Sequence, residues 1–132
     1  MSVKPDWWIR EMALGCRLIE PFSERVARDG IISFGLQPAG YDARLDPRIL
    51  VFDWALAAGS SFDPLNQDHR FFFERSAVPH YDIPPRGFVE AMTMEYFRIP
   101  PNCLARGMGK TIYSSVGIVW SAPLFLQGLS TV

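Results

Sequence analysis

Apolar residues fall along this chain in short runs, and glycine or proline breaks most of the gaps between them. After Pro5, the residues Trp8, Ile9, Met12 and Cys16 recur at the helical period. This spacing predicts a short helix, N-capped by Asp6 and running to about Cys16, with one apolar face. Beyond Pro21 the pattern changes. Ile31–Phe34, Ala43–Leu45, Ile49–Phe52, Phe71–Phe73, Phe88–Met94, Thr111–Tyr113 and Gly117–Trp120 are short and rich in β-branched or aromatic residues. Such runs predict strands, and many short strands with turn residues between them predict a mainly β fold: a sandwich, barrel or jelly roll behind a short N-terminal helix. The longest polar interval is Ala57 to His69. Its Gly59-Ser60-Ser61 lacks the Lys-Ser/Thr ending of a P-loop and reads as an ordinary connection.

Composition narrows the class. The 132 residues fit one domain, and 48% hydrophobic against 20% charged residues supports a packed core in place of disorder. Thirteen basic and 14 acidic residues leave a formal charge of −1, so no global field draws the chain to nucleic acid or to an acidic membrane. Any phosphate site has to be local. No apolar stretch approaches the roughly 18 residues of a membrane span, and the opening MSVKPDWW is not a signal peptide, so the expected location is cytoplasmic. Cys16 and Cys103 are too few for a disulfide framework and read as buried small hydrophobes.

Several chemistries find no support. His69 and His80 form no metal-ligand spacing with the cysteines, so no metal site is expected. The H-x-E and P-C-x-x-C signatures of zinc nucleobase deaminases are missing, and Ser33, Ser76 and Ser121 sit in no nucleophile elbow. The run EYFRIPPNCLARGMGKTIYSSVG, from Glu95 to Gly117, is more informative. Within it Gly109, Lys110 and Thr111 set a permissive backbone, a cation and a hydroxyl side by side, which are the materials of a phosphate site. On these three residues alone, a plain glycine turn with a solvated lysine is the better reading.

The wider sequence resembles the dCTP deaminase branch of the dCTP deaminase and dUTPase family. Trp8 to Met12 followed by Ile19-Glu20-Pro21-Phe22 is similar to that family's opening, and Ile31 to Gly35 with Gly40 to Arg44 resembles its "ISYG…GYDVR" segment. Phe62-Asp63-Pro64 falls at a similar turn, Glu95 to Pro100 matches "EYFRIP", and Gly109 to Gly117 resembles "GKSTYARCG". The resemblance covers residues 1 to about 123. It implies a jelly-roll subunit of the dUTPase-like type that forms homotrimers and converts dCTP to dUTP and ammonia. It further implies no tightly bound cofactor, with Mg²⁺ accompanying the triphosphate, and phosphate contacts from Gly109, Lys110 and Thr111.

The same comparison marks departures. Thr111 stands for the motif serine, Ile112 for a hydroxyl residue, and Ser115 for an arginine whose loss removes a cation and its fork of donors. Losing such a charge-assisted contact costs about 1.5–3 kcal/mol, at least tenfold in affinity. No carboxylate follows Glu95, so the family's catalytic glutamate and last strands have no counterpart here. The expectation is a shortened, divergent member with no catalytic residue of its own. It is impaired or inactive as a deaminase, or else a non-catalytic nucleotide-binding or interaction β protein. Open strand edges add an expectation of self-association or aggregation. Glu95 is expected to be structural, and Asp42 either to orient a ligand or to stabilise a turn.

Overall fold

The computed structural model describes residues 2–61, 63, 65, 69–75, 80–121 and 124–125. In chain order the elements are α1 (Asp6–Cys16), β1 (Ile19–Glu20), β2 (Gly35–Gln37), β3 (Gly40–Asp42) and β4 (Leu45–Phe52). There follow α2 (Trp54–Ala57), a 3-10 turn at His69–Phe71, β5 (Phe72–Arg75), β6 (Val89–Thr93) and β7 (Tyr96–Phe97). The last are β8 (Ala105–Arg106), α3 (Thr111–Ser114) and β9 (Leu124–Phe125). Strand outweighs helix, 28% against 19%, so the chain is mainly β with a short N-terminal helix. All strand pairs are antiparallel, and the described sheets do not close into a barrel. Phe62 and Pro64 of the expected turn, Ser76 and most of the segment after Ser121 lie outside the described residues. No helix among the described residues is long and apolar enough to cross a membrane.

The chain divides into two compact units, residues 1–43 with 95–132, and residues 44–94. In the first, α1 buries Ile9 and Ala13 against Leu18, Ile19 and Leu36, with Trp8, Met12, Phe22, Tyr41, Phe97 and Ile99 packed around them. Asp6 is the first helical residue and not the cap. Pro5 holds the cap position, where its lack of an N–H leaves no donor unsatisfied, and the Asp6 carboxylate accepts from the Trp7 N–H at 2.7 Å. At the other end Arg17 adopts the left-handed conformation (φ 53°) and turns the chain away, so Cys16 is exposed and not buried as its spacing suggested. Cys103 is only half-buried.

The turn at Arg17 delivers β1 to β7, pairing Ile19 with Phe97 and Glu20 with Tyr96. Arg98 clamps this pair: its guanidinium donates to the Arg17 carbonyl at 3.1 Å and to the Glu20 carboxylate at 2.7 Å. The bond from Arg98 holds the exposed Glu20 carboxyl below the usual glutamate range, as the bond from Arg10 does for Glu24. β2 and β3 form a hairpin across Pro38-Ala39, with Leu36 facing Tyr41. The Tyr41 hydroxyl accepts from the Ser23 N–H at 3.1 Å, so the hairpin is tied to the strand-like segment before it.

In the second unit β4 is the central strand, flanked by β5 and β6. Pro47 cannot donate to a ladder, and the register with β6 shifts between Leu45 and Ile49. Phe52 gathers the rings of Trp54, Phe72 and Phe88 at centroid distances of 4.7, 5.2 and 6.3 Å. Asp53 caps α2 by accepting from the Ala55 and Leu56 N–H groups.

Two predicted strands are not strands, and a third, Ala43–Leu45, contributes only Leu45, the first residue of β4. Thr111–Tyr113 lies in α3, and 117–120 is irregular. The N–H groups of Tyr113 and Ser115 bond back to the carbonyls of Lys110 and Thr111, so the segment satisfies itself without a partner strand. Gly117 (φ 83°) then ends the turn: its N–H bonds to the Ser114 carbonyl and that of Ile118 to the Tyr113 carbonyl, the Schellman pattern. β-Branched side chains favour strands only where a sheet neighbour receives them. Ile31–Phe34 is likewise reduced to a bridge between Phe34 and Val26, and the strand proper starts at Gly35.

Candidate functional site

Three sequence-distant segments meet at the ammonium of Lys110. Lys110 precedes α3 in an extended conformation (φ −74°, ψ 139°), which sends its side chain out of the turn and not along it. Its Nζ donates to the Ser33 carbonyl at 2.6 Å, to the Ser33 Oγ at 2.8 Å and to the Asp42 Oδ2 at 2.7 Å. Ser33 ends the irregular run before β2, and Asp42 ends β3, so the β2–β3 hairpin brings both acceptors to one side. An ammonium has three N–H donors, and all three are engaged here. The Lys110 and Asp42 side chains are 29% and 32% exposed, so the pair is partly shielded from solvent.

The neighbouring residues have different duties. Gly109 is a point of close approach: a Cβ there would lie 2.8 Å from the Cβ of Trp120, so glycine lets the tryptophan cross the chain. Gly109→Ala is therefore expected to cost about 1–3 kcal/mol through overpacking, read as a lower midpoint in urea. An unchanged midpoint would show that the Trp120 contact is not held in solution. Thr111 opens α3 and is exposed, next to the exposed Ile112. Ser115, at the position of the expected arginine, is exposed and donates from Oγ to the Ile112 carbonyl at 2.8 Å. Beside Lys110 an open groove of about 650 Å³ is bordered by Arg28, Ser33, Lys110 and Ile112. Glu95 is buried, at 1% exposure.

Of the three residues that sequence singled out, Lys110 is thus the centre of the cluster, Gly109 packs against Trp120, and Thr111 lies on the adjoining turn. Ser33, as a lone serine, carries no spacing signal of its own. Its position in the "ISFG" segment, ahead of the "GYD" segment, was the available clue.

A family model described as dCTP deaminase-like matches residues 4–129, nearly the whole chain. The chain belongs to that family. The dCTP deaminase of Granulibacter bethesdensis is 44% identical over 122 residues, covering 90% of this chain and 63% of that protein. The dCTP deaminases of Wolbachia pipientis wMel and Acidiphilium cryptum are each 43% identical over 119 residues, with the same coverage. The chain therefore spans 63% of the length of these curated relatives. The segments that supply Ser33, Asp42 and Lys110 all lie inside the family match.

Proposed function

We propose that this member of the dCTP deaminase-like family is a pyrimidine deoxynucleotide protein. It holds the phosphates of dCTP or dUTP through Gly109, Lys110 and Thr111, and these 132 residues by themselves deaminate dCTP poorly or not at all. The observation that carries the reading is the convergence of Ser33, Asp42 and Lys110 beside an open groove. A cation at the edge of a groove is the first requirement of a triphosphate site, and a nearby hydroxyl supplies a further donor. A magnesium ion would arrive with the triphosphate as part of the substrate.

Two features support weak chemistry. Deamination of a cytosine ring needs a base to take a proton from the attacking water and return it to the leaving ammonia. No carboxylate follows Glu95 in these residues, and Glu95 is shut away from solvent at 1% exposure. Ser115 does not replace the donors of an arginine, since its hydroxyl is spent on the Ile112 carbonyl. Loss of a general base lowers rates by about 10²–10⁴. Incubation of these 132 residues with dCTP and Mg²⁺, assayed for dUTP and ammonia, is expected to give at least a hundredfold less product than one of the dCTP deaminases named above. Turnover of ordinary size that tracks the protein would overturn the impaired reading. Calorimetry with dCTP, dUTP and dTTP tests binding separately, and no heat above buffer mixing with any of them removes the nucleotide reading.

We also infer self-association. Phe88 and Met92, on or beside β6 and at the same parity along it, are 50% and 45% exposed, an apolar surface that a second copy would cover. Light scattering on the eluting peak is expected to report a mass above 15.0 kDa. A single monomeric peak at micromolar concentration would refute it.

A further inference from the structure

We propose that Asp42 is a latch on Lys110, competing with ligand phosphate for the same ammonium, so that an anion binds only by displacing this carboxylate. The proposal rests on the nucleotide reading above and names how that site is controlled. With the Ser33 carbonyl, the Ser33 hydroxyl and Asp42 at 2.6, 2.8 and 2.7 Å, Lys110 has no N–H left for a fourth acceptor. A phosphate oxygen reaching Nζ must take the place of one of them.

The three acceptors differ in how readily they yield. The Ser33 carbonyl belongs to the backbone that leads into β2 and cannot move without moving the strand. The Ser33 hydroxyl accepts from Lys110 through a lone pair and keeps its own proton, so it favours an incoming anion as a donor. Asp42 is an anion on a side chain with two rotatable bonds, and it is the group that a phosphate repels. About a third of its side-chain surface already meets water, which would rehydrate it on release. The groove beside Lys110 gives the phosphate its approach, with Arg28 as a second cation and Asp29 as an opposing anion on its border. In the unliganded chain the latch holds the cation in place and neutralised. In the bound chain phosphate charge replaces the carboxylate.

The test titrates the 132-residue chain, its Asp42→Asn variant and its Lys110→Met variant with inorganic tripolyphosphate and with dCTP in a calorimeter. Asparagine keeps the shape and one acceptor of aspartate but not its charge. The Asp42→Asn variant is expected to bind both probes about five- to tenfold tighter than the parent, from loss of a charge-assisted competitor. Lys110→Met is expected to bind neither. If the parent binds and a folded Asp42→Asn variant binds equally or more weakly, the latch is wrong while the nucleotide reading stands. If no form binds either probe, both are wrong. A measurement on the unaltered chain guards against a misfolded variant: the Asp42 carboxyl ¹³C resonance is expected to shift together with the Lys110 Nζ resonance as tripolyphosphate saturates. A carboxyl signal that stays fixed at saturation, while the Lys110 signal moves, overturns the proposal.

Discussion

Replacing Leu36 by alanine is expected to destabilise the chain by about 2–5 kcal/mol, the range for deleting a buried leucine side chain in a core that only partly closes around the gap. Leu36 is 3% exposed and shares the core of its unit with Ile9, Ala13, Leu18 and Ile19. It sits on β2 opposite Tyr41, whose ring lies 6.0 Å from Phe22 and 6.2 Å from Phe97. These rings are themselves only partly buried, and their stacking leaves little freedom to collapse into the space. The Leu36 N–H also bonds to the Ser23 carbonyl at 3.1 Å, holding the hairpin beside the segment whose Val26 bridges to Phe34, the neighbour of Ser33. Loss at this position therefore loosens the platform that presents both acceptors to Lys110. Urea unfolding followed by far-ultraviolet circular dichroism measures the effect. A change below about 0.5 kcal/mol, the size of an ordinary surface substitution, would mean that Leu36 is not a core residue.

Lys110→Met is expected to cost about 2–3 kcal/mol and to lower the melting temperature by roughly 5–15 °C. Methionine keeps the length and apolar stem of lysine, so the change isolates the ammonium. Three hydrogen bonds vanish, one of them to a carboxylate that then stands half-buried without its cation. Hydrogen bonds to charged groups contribute about 1.5–3 kcal/mol each, but rehydration of Asp42 and Ser33 returns part of that. A double-mutant cycle with Asp42→Asn separates the pair from the rest. The two changes together are expected to cost less than the sum of the single changes, because the second removes the charge that the first leaves unpaired. Additive costs would show that Lys110 and Asp42 do not interact in solution.

Much of this was legible from residue order. The helix at Asp6–Cys16 follows from the spacing of Trp8, Ile9 and Met12, and its bounds agree with the expectation although the cap is Pro5. The strands β4, β5 and β6 follow from the β-branched and aromatic runs at 49–52, 71–73 and 88–94. The family followed from quoted segments, and the match over residues 4–129 bears it out. The errors share a cause. Cys16 fits an apolar helical stripe by spacing but stands where the left-handed Arg17 has already turned the chain outward. Thr111–Tyr113 has strand-forming side chains and yet closes one helical turn, because its own carbonyls and Gly117 satisfy it.

The sequence by itself determined the mainly β class, the N-terminal helix and the family. Those follow from local periodicity and from runs of neighbouring residues, which survive any arrangement of the rest. Only the tertiary structure decided what Lys110 does, since its partners Ser33 and Asp42 lie 77 and 68 positions away along the chain. A lysine beside a glycine and a threonine has the same local pattern whether it is solvated, bound to phosphate or held by a carboxylate. The distinction is made by distance in space, and here the β2–β3 hairpin sets that distance by carrying an anion to within 2.7 Å of the cation.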